Sequence, residues 1–157
     1  MTDNMTPEQR SRTMSRIRAR DTKPELTVRR LLHGRGLRYR THVAGLPGKP
    51  DMVFSGARVA VFIDGDFWHG WRFSTWSGGL APYWREKIER NMKRDARNFR
   101  TLRRGGWTVI RLWEHEIEAD AARCADRVEV AVRRLSFVAA QSKEPSSEAE
   151  PSRRAQP

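Results

Sequence analysis

Two short apolar runs lying close together constrain the fold of this chain most. Met52-Val53-Phe54 and Val59-Ala60-Val61-Phe62-Ile63 flank a small-residue turn, Ser55-Gly56-Ala57. Runs rich in β-branched and aromatic residues on either side of such a turn predict a β-hairpin. A hairpin returns the end of its second strand to the start of its first. Asp51, just before the first run, is therefore expected beside Asp64, just after the second. Asp66 and His69 follow on a loop bounded by Gly65 and Gly70. Carboxylates hold a hard cation through oxygen, and an imidazole moves a proton near neutral pH. Together they are the groups that metal-assisted phosphodiester cleavage requires. The same string also suits a polar turn with solvated acids, and the stretch alone leaves both readings open.

Charge narrows the choice of partner. Lys and Arg outnumber Asp and Glu by 31 to 19, a net +12 over 157 residues. Gln141 to Pro157 carries three basic and three acidic side chains, so the excess lies in the preceding part. A surface so basic points to a polyanion, and nucleic acid fits better than membrane because no long apolar run or amphipathic anchor appears. Met1-Thr2-Asp3-Asn4 carries no apolar signal core, so a cytoplasmic, nucleoid-associated protein is expected. Cys124 stands alone, which excludes an internal disulfide and a cysteine-rich zinc site. Of six tryptophans, Trp68, Trp71 and Trp76 fall in the loop after the hairpin, an unusual place for core residues.

Along the chain, Thr6-Pro7-Glu8-Gln9 predicts a helix start, with Thr6 and Gln9 as a capping box. In the basic segment that follows, Met14 and Ile17 share one helical face. That pair suits packing on the domain body or an apolar wedge on a cationic arm. A second helix is expected from Thr22, ending at Gly34 and Gly36. Within it Glu25 reads either as the capping-box acid or as an inward-facing carboxylate near the hairpin. A strand is expected around Leu37 to His42.

After the aromatic loop a long helix is expected from about Pro82 to Arg104, with the stripe Trp84, Ile88, Asn91, Asp95, Phe99, Leu102. Asn91 and Asp95 interrupt an apolar row and so need polar partners, His69 being the natural one. Trp107 to Trp113 reads as a strand, and Asp120 to Leu135 as a closing helix. From Gln141 on, Ser, Glu, Pro and Ala predict a disordered tail. The elements define an α/β class chain with three parts, a basic arm (1–20), a catalytic domain (21–140) and a tail (141–157).

Seven separate segments together resemble the very-short-patch-repair (Vsr) mismatch endonucleases. They are Met14 with Ile17, Arg20-Asp21-Thr22 with Glu25, Leu46-Pro47-Gly48-Lys49-Pro50-Asp51, Phe67-Trp68-His69, Trp84 with Glu86-Lys87-Ile88, Asn91 with Arg94-Asp95, and Gly106-Trp107 through Trp113-Glu114. The resemblance implies a restriction-endonuclease-like three-layer fold, a central mixed sheet flanked by helices. It implies a Mg2+-dependent enzyme that nicks one strand of duplex DNA at T:G mismatches, working as a monomer alongside a DNA cytosine methyltransferase. Asp51 and the Ile63 carbonyl would hold the metal, His69 would deprotonate water, and Asp95 would orient His69. Glu25 would support a metal-bound water. Phe67, Trp68 and Trp84 would press into the stack from the major groove, Met14 and Ile17 from the minor groove, with Asn91 and Arg94 also against DNA. A related restriction-type nuclease of matched DNA and a catalytically silent mismatch-binding protein are the alternatives.

Two positions depart from the family's pattern. Asp64 stands where the family's pattern has histidine, and a carboxylate there could bind the metal directly. The family also carries a structural zinc held by Cys and His in this loop. Here Asp66 replaces a ligand cysteine and Trp71-Arg72-Phe73 replace the following ligands, leaving His115 alone. Trp71, Phe73 and Trp76 are expected to pack the loop in place of the metal. Elemental analysis of the purified protein should accordingly find no stoichiometric zinc, and one zinc per chain would contradict this reading.

Overall fold

The computed structural model describes residues 21–142, together with Thr6 and Gln9. Met14, Ile17, most of the basic arm and residues 143–157 lie outside the described residues. Thr6 and Gln9 exchange the two expected capping hydrogen bonds, at 2.9 and 3.2 Å. The ordered elements are α1 (Lys23–Gly34), β1 (Met52–Phe54), β2 (Val59–Asp64), a short α2 (Phe73–Trp76), α3 (Pro82–Arg104), β3 (Thr108–Trp113) and α4 (Glu114–Gln141).

β1 pairs antiparallel with β2 as the expected hairpin, and β2 pairs parallel with β3 across the α3 crossover. The result is an α/β architecture with a mixed three-stranded sheet, order β1-β2-β3. Strand residues alternate between faces, and here both faces are covered. Met52, Phe54, Val59, Val61 and Leu112 join Val28 and Leu32 of α1 and Val128 and Val132 of α4 in the larger core. Ala60 and Phe62 pack on the other face against Phe99 and Leu102 of α3. Burial on both faces is why β2 reads as a continuous apolar run rather than an alternating one.

Two expectations need correction, and one helix is longer than expected. The strand around 37–42 is a single bridge, Arg40 to Val53. His42 takes a left-handed backbone conformation (φ 55°), and Gly45 does so at φ 86°. The chain therefore turns away after one residue pair, while the Tyr39 hydroxyl donates to the Arg29 carbonyl. α4 runs directly off β3 from Glu114, where Glu116 accepts the Trp113 N–H at 3.0 Å, and its part from Asp120 on is the expected closing helix, with Asp120 Oδ1 accepting from the Arg123 N–H at 2.9 Å. Non-helical backbone at Asp120 (φ −158°, ψ 85°) kinks it there. Lastly, Thr22 does not accept a capping bond; its hydroxyl donates to Glu25 at 3.1 Å instead. No helix among the described residues is long and apolar enough to cross a membrane.

The loop after β2 is pressed onto α3 at one point. Gly70 sits at φ +74°, and a Cβ there would lie 2.4 Å from the Met92 sulfur and 3.4 Å from Ile88. Only glycine meets both demands, a positive φ and an approach this close. Gly70→Ala should cost about 1–3 kcal/mol through strain and overpacking. Thermal unfolding of the variant checks this, and an unchanged midpoint would contradict the packing.

Candidate active site

The hairpin sets the first half of the site. Asp51 N–H donates to the Val61 carbonyl, and the Ile63 N–H donates to Asp51 Oδ2 at 2.7 Å. Asp51 thus arrives beside Asp64 as the sequence suggests. Its Oδ1 takes no hydrogen bond among the described residues. Burial, above all, pushes the Asp51 carboxyl up to about 7. The Ile63 N–H opposes this, and the charges of Glu25 and Asp64 add to it.

Sheet parity sets the second half. Asp64 continues the even-numbered face of β2, the one that looks at α3, and it is 6% exposed. Its Oδ1 lies 3.3 Å from His69 Nε2, and its Oδ2 accepts from Arg111 Nε at 2.6 Å. Asp95, on the buried stripe of α3, meets His69 Nδ1 at 2.6 Å. Burial pushes the Asp95 carboxyl up, but the hydrogen bond from His69 and the charges of His69, Arg111 and Arg94 outweigh it, holding it below its ordinary value. Asp95 is then a carboxylate, which can only accept, so His69 Nδ1 carries a proton towards it, while Nε2 faces Asp64. Burial raises the Asp64 carboxyl, with His69 and Arg111 opposing.

One cavity of about 1040 Å³ collects Asp51, Asp64 and His69. Glu25, Asp51, Ile63, Asp64 and His69 line it, with Trp68, Asn91 and Arg94. Glu25 is 3% exposed and fully engaged: it accepts from Asp21 N–H, the Thr22 hydroxyl and Arg29. Both sequence readings of Glu25 meet here, since the residue ties the helix start and also faces the cavity. Asn91 donates to the Trp68 carbonyl at 3.1 Å, and Arg94 reaches Asp95 at 3.4 Å.

An aromatic cluster stands at the cavity's edge. Phe67 meets Trp68 at 4.8 Å, Trp68 meets Trp84 at 5.6 Å, and Phe67 stacks on Trp76 at 5.4 Å. Lys87 Nζ sits 5.6 Å from the rings of both Trp68 and Trp84. Phe67 is 42% exposed, as is its neighbour in kind Tyr83 at 41%. On the opposite side of the loop, Trp71 packs on Trp113 and His115, at 5.1 and 4.7 Å. His115 Nδ1 pairs with Asp66 at 2.7 Å, and Phe73 packs on Trp76. Aromatic packing and this His–Asp pair hold the loop, as expected for Trp71, Phe73 and Trp76.

The sequence reading missed Arg111. Arg111 had a signal: alternation along β3 puts it on the face of Val109 and Trp113, directly paired with Phe62.

The donor chemistry fits a hard divalent cation. The carboxylates of Glu25, Asp51 and Asp64 line one cavity, and carboxylate oxygen is the donor such a cation takes. Asp64, His69 and Asp95 form a second set of ligand atoms within 4.8 Å of one another.

A basic α/β protein with carboxylates and an imidazole around one open cavity has the groups that phosphodiester hydrolysis uses. A profile of the family described as DNA mismatch endonuclease Vsr matches residues 2–75. Type II nicking enzyme V.NmeDIP of Neisseria meningitidis serogroup C is 40% identical over 134 residues, 83% of this chain and 90% of that protein. Type II nicking enzyme V.XorIIP of Xanthomonas oryzae pv. oryzae is 42% identical over 119 residues, covering 74% and 88%. DNA mismatch endonuclease Vsr of Escherichia coli (strain K12) is 38% identical over 107 residues, covering 67% and 69%. The chain belongs to the Vsr family and is a DNA-nicking endonuclease.

Asp51 has a consequence for stability. Its folded carboxyl titrates near 7 against an ordinary 3.8. Folding therefore favours the protonated form, and this contribution is complete below pH 3.8 and lost as pH rises to about 7. At about 1.4 kcal/mol per pH unit the loss reaches on the order of 4 kcal/mol at most. With chelator present, Asp51→Asn should unfold at a higher temperature than the parent at pH 8 and show a flatter pH dependence. A variant less stable than the parent at pH 8 would contradict the assignment.

Proposed function

We propose that this protein nicks one strand of duplex DNA at T:G mismatches, with Mg2+, on a restriction-endonuclease-like fold. The observation that carries the reading is the convergence of Asp51 and His69, the latter bonded to Asp95, on one cavity bordered by an aromatic cluster in which Phe67 is exposed.

Asp51 Oδ1, the Ile63 carbonyl and Asp64 are the groups that would hold the metal. When bound, Mg2+ supplies positive charge at the scissile phosphate. His69 Nε2 takes the proton of the attacking water, and the Nδ1–H···Asp95 bond keeps the imidazole in the tautomer that can do so. Glu25, held rigid by Arg29 and Thr22, supports an ordered water. The phosphodiester breaks on its 3′-oxygen side, leaving a 5′-phosphate.

Discrimination is a matter of unstacking energy. A mispaired step opens at lower cost than a matched one, so rings pressed against the stack select it without reading each base. Phe67, Trp68 and Trp84 are proposed as those rings from the major groove, and Met14 with Ile17 from the minor groove. Asn91 and Arg94 contact the DNA beside them. Deamination of 5-methylcytosine opposite guanine yields the T:G pair, which is the link to a cytosine methyltransferase.

The test is cleavage of labelled duplexes that differ only in T:G against T:A. Mg2+-dependent nicking of the T:G duplex alone is expected, and equal cutting of both would replace this reading with a nuclease of matched sites. Asp51→Ala should abolish nicking with DNA binding retained. His69→Ala should slow it by on the order of 10²–10⁴-fold, and an unchanged rate removes His69 as the base.

A further inference from the structure

A second cavity, of about 820 Å³, shares His69 as a wall with the one that holds Asp51. Arginines from three separate elements line it: Arg72 from the loop after β2, Arg100, Arg103 and Arg104 from the last turns of α3, and Arg111 from β3. No carboxylate of the described residues lines it. Of the five, Arg111 pairs with Asp64 and Asp95, whereas Arg72, Arg100, Arg103 and Arg104 enter no ion pair among the described residues. A helix C-terminus accounts for Arg103 and Arg104, which complement the dipole of α3. It does not account for Arg72 and Arg111, which reach the same cavity from elsewhere. Like charges gathered without an acid repel one another, and an anion relieves them.

Three of these guanidinium groups lie over rings. Arg72 is 5.6 Å from the Trp71 centroid, Arg103 6.0 Å from that of Phe99, and Arg111 4.1 Å from that of Trp113. Cation–π contact holds each group in place while leaving its N–H edge for hydrogen bonds. Planar forks held ready in this way suit phosphate oxygens. The cavity is too small to admit a duplex, whose major groove alone is about 12 Å wide. A single backbone fits it, and arginines interleaved with aromatic rings are the pattern that follows an unpaired strand. Because His69 belongs to both cavities, a strand lying in the first reaches the second by passing the imidazole.

We propose that this second cavity binds the phosphates of an unpaired nucleic-acid strand, and that a nicked strand, freed from its complement beside the cut, lies there. The inference rests on the nicking activity and not on which base pair directs it.

The experiment is fluorescence anisotropy of the full chain, in chelator, with a labelled single-stranded oligonucleotide of mixed sequence over a range of salt concentrations. For the parent, log affinity should fall with log salt by about 0.7 per phosphate contacted. Arg100→Ser/Arg103→Ser/Arg104→Ser should flatten that slope by about 2 and weaken binding by at least about 10-fold at moderate salt. The control is Arg30→Ser/Arg123→Ser/Arg134→Ser, which removes as much charge from exposed positions outside the cavity lining. It should change the affinity by less than about twofold, since charges that far from the strand are screened. Equal loss in the two variants, or no loss in the first, overturns the inference. A paired duplex should lose no more affinity with the cavity variant than with the control; a loss matching that of the single strand would give the cavity to paired DNA instead. Inorganic triphosphate should displace the strand only at concentrations well above the strand's own Kd, and displacement below it would replace the strand with a small polyphosphate. Should loss of Arg103 from the Phe99 ring unfold the variant, Arg100→Ser/Arg104→Ser decides, with a slope change of about 1.4. Nicking of T:G duplexes by the parent is followed alongside: its absence overturns the mismatch reading, and strand binding is decided separately.

Discussion

Along β2 the pleat sends Val59, Val61 and Ile63 towards α1 and α4, and Ala60, Phe62 and Asp64 towards α3. The parallel pairing with β3 copies this division onto the next strand, placing Arg111 beside Phe62. Asp64 and Arg111 therefore emerge on one face, opposite Asp95 of α3, with no choice left to their side chains. A slip of one residue in either strand would turn them into the apolar core on the other side. Such a slip would bury two charges among Val28, Val128 and Leu112, at a cost of several kcal/mol per ion. The larger core therefore enforces the register on which the polar site depends.

Much of this was legible beforehand. A turn of fixed length between two apolar runs is enough to bring Asp51 to Asp64, because hairpin geometry is local. The stripe of α3 likewise announced that Asp95 needed a partner, and the helical period put it where His69 could supply one. Arg111 was overlooked although the same two-residue period marked it. A lone arginine among Val109, Ile110, Leu112 and Trp113 reads as an exception to the strand rather than as its purpose. The short bridge at Arg40 and the helical segment of α4 ahead of Asp120 escaped notice for another reason. The first depends on left-handed backbone at His42, and the second on a hydrogen bond between Glu116 and Trp113, neither of which leaves a periodic trace in sequence.

The loop between β2 and α3 is held by contacts of several kinds. Asp66 and His115 tie the loop to the first turn of α4, Trp71 fills the space beside them, and Gly70 lets the backbone settle against Met92. These contacts surround His69 in sequence, so the imidazole is placed from both sides. Polar pairing, ring packing and a close backbone approach each contribute, and no one of them stands alone.

The rings of Phe67, Trp68, Trp76 and Trp84 touch in series, with a lysine ammonium over two of them. Their rotamers are thus largely settled before any duplex arrives. The ordering entropy of such a blade is lost during folding, when the hydrophobic core can offset it, and not at the moment of encounter. On the proposed reading, what remains for association is the displacement of water and the parting of two base steps. A cluster of this kind should report on the nucleic acid rather than on itself, being stiff enough that the partner must yield.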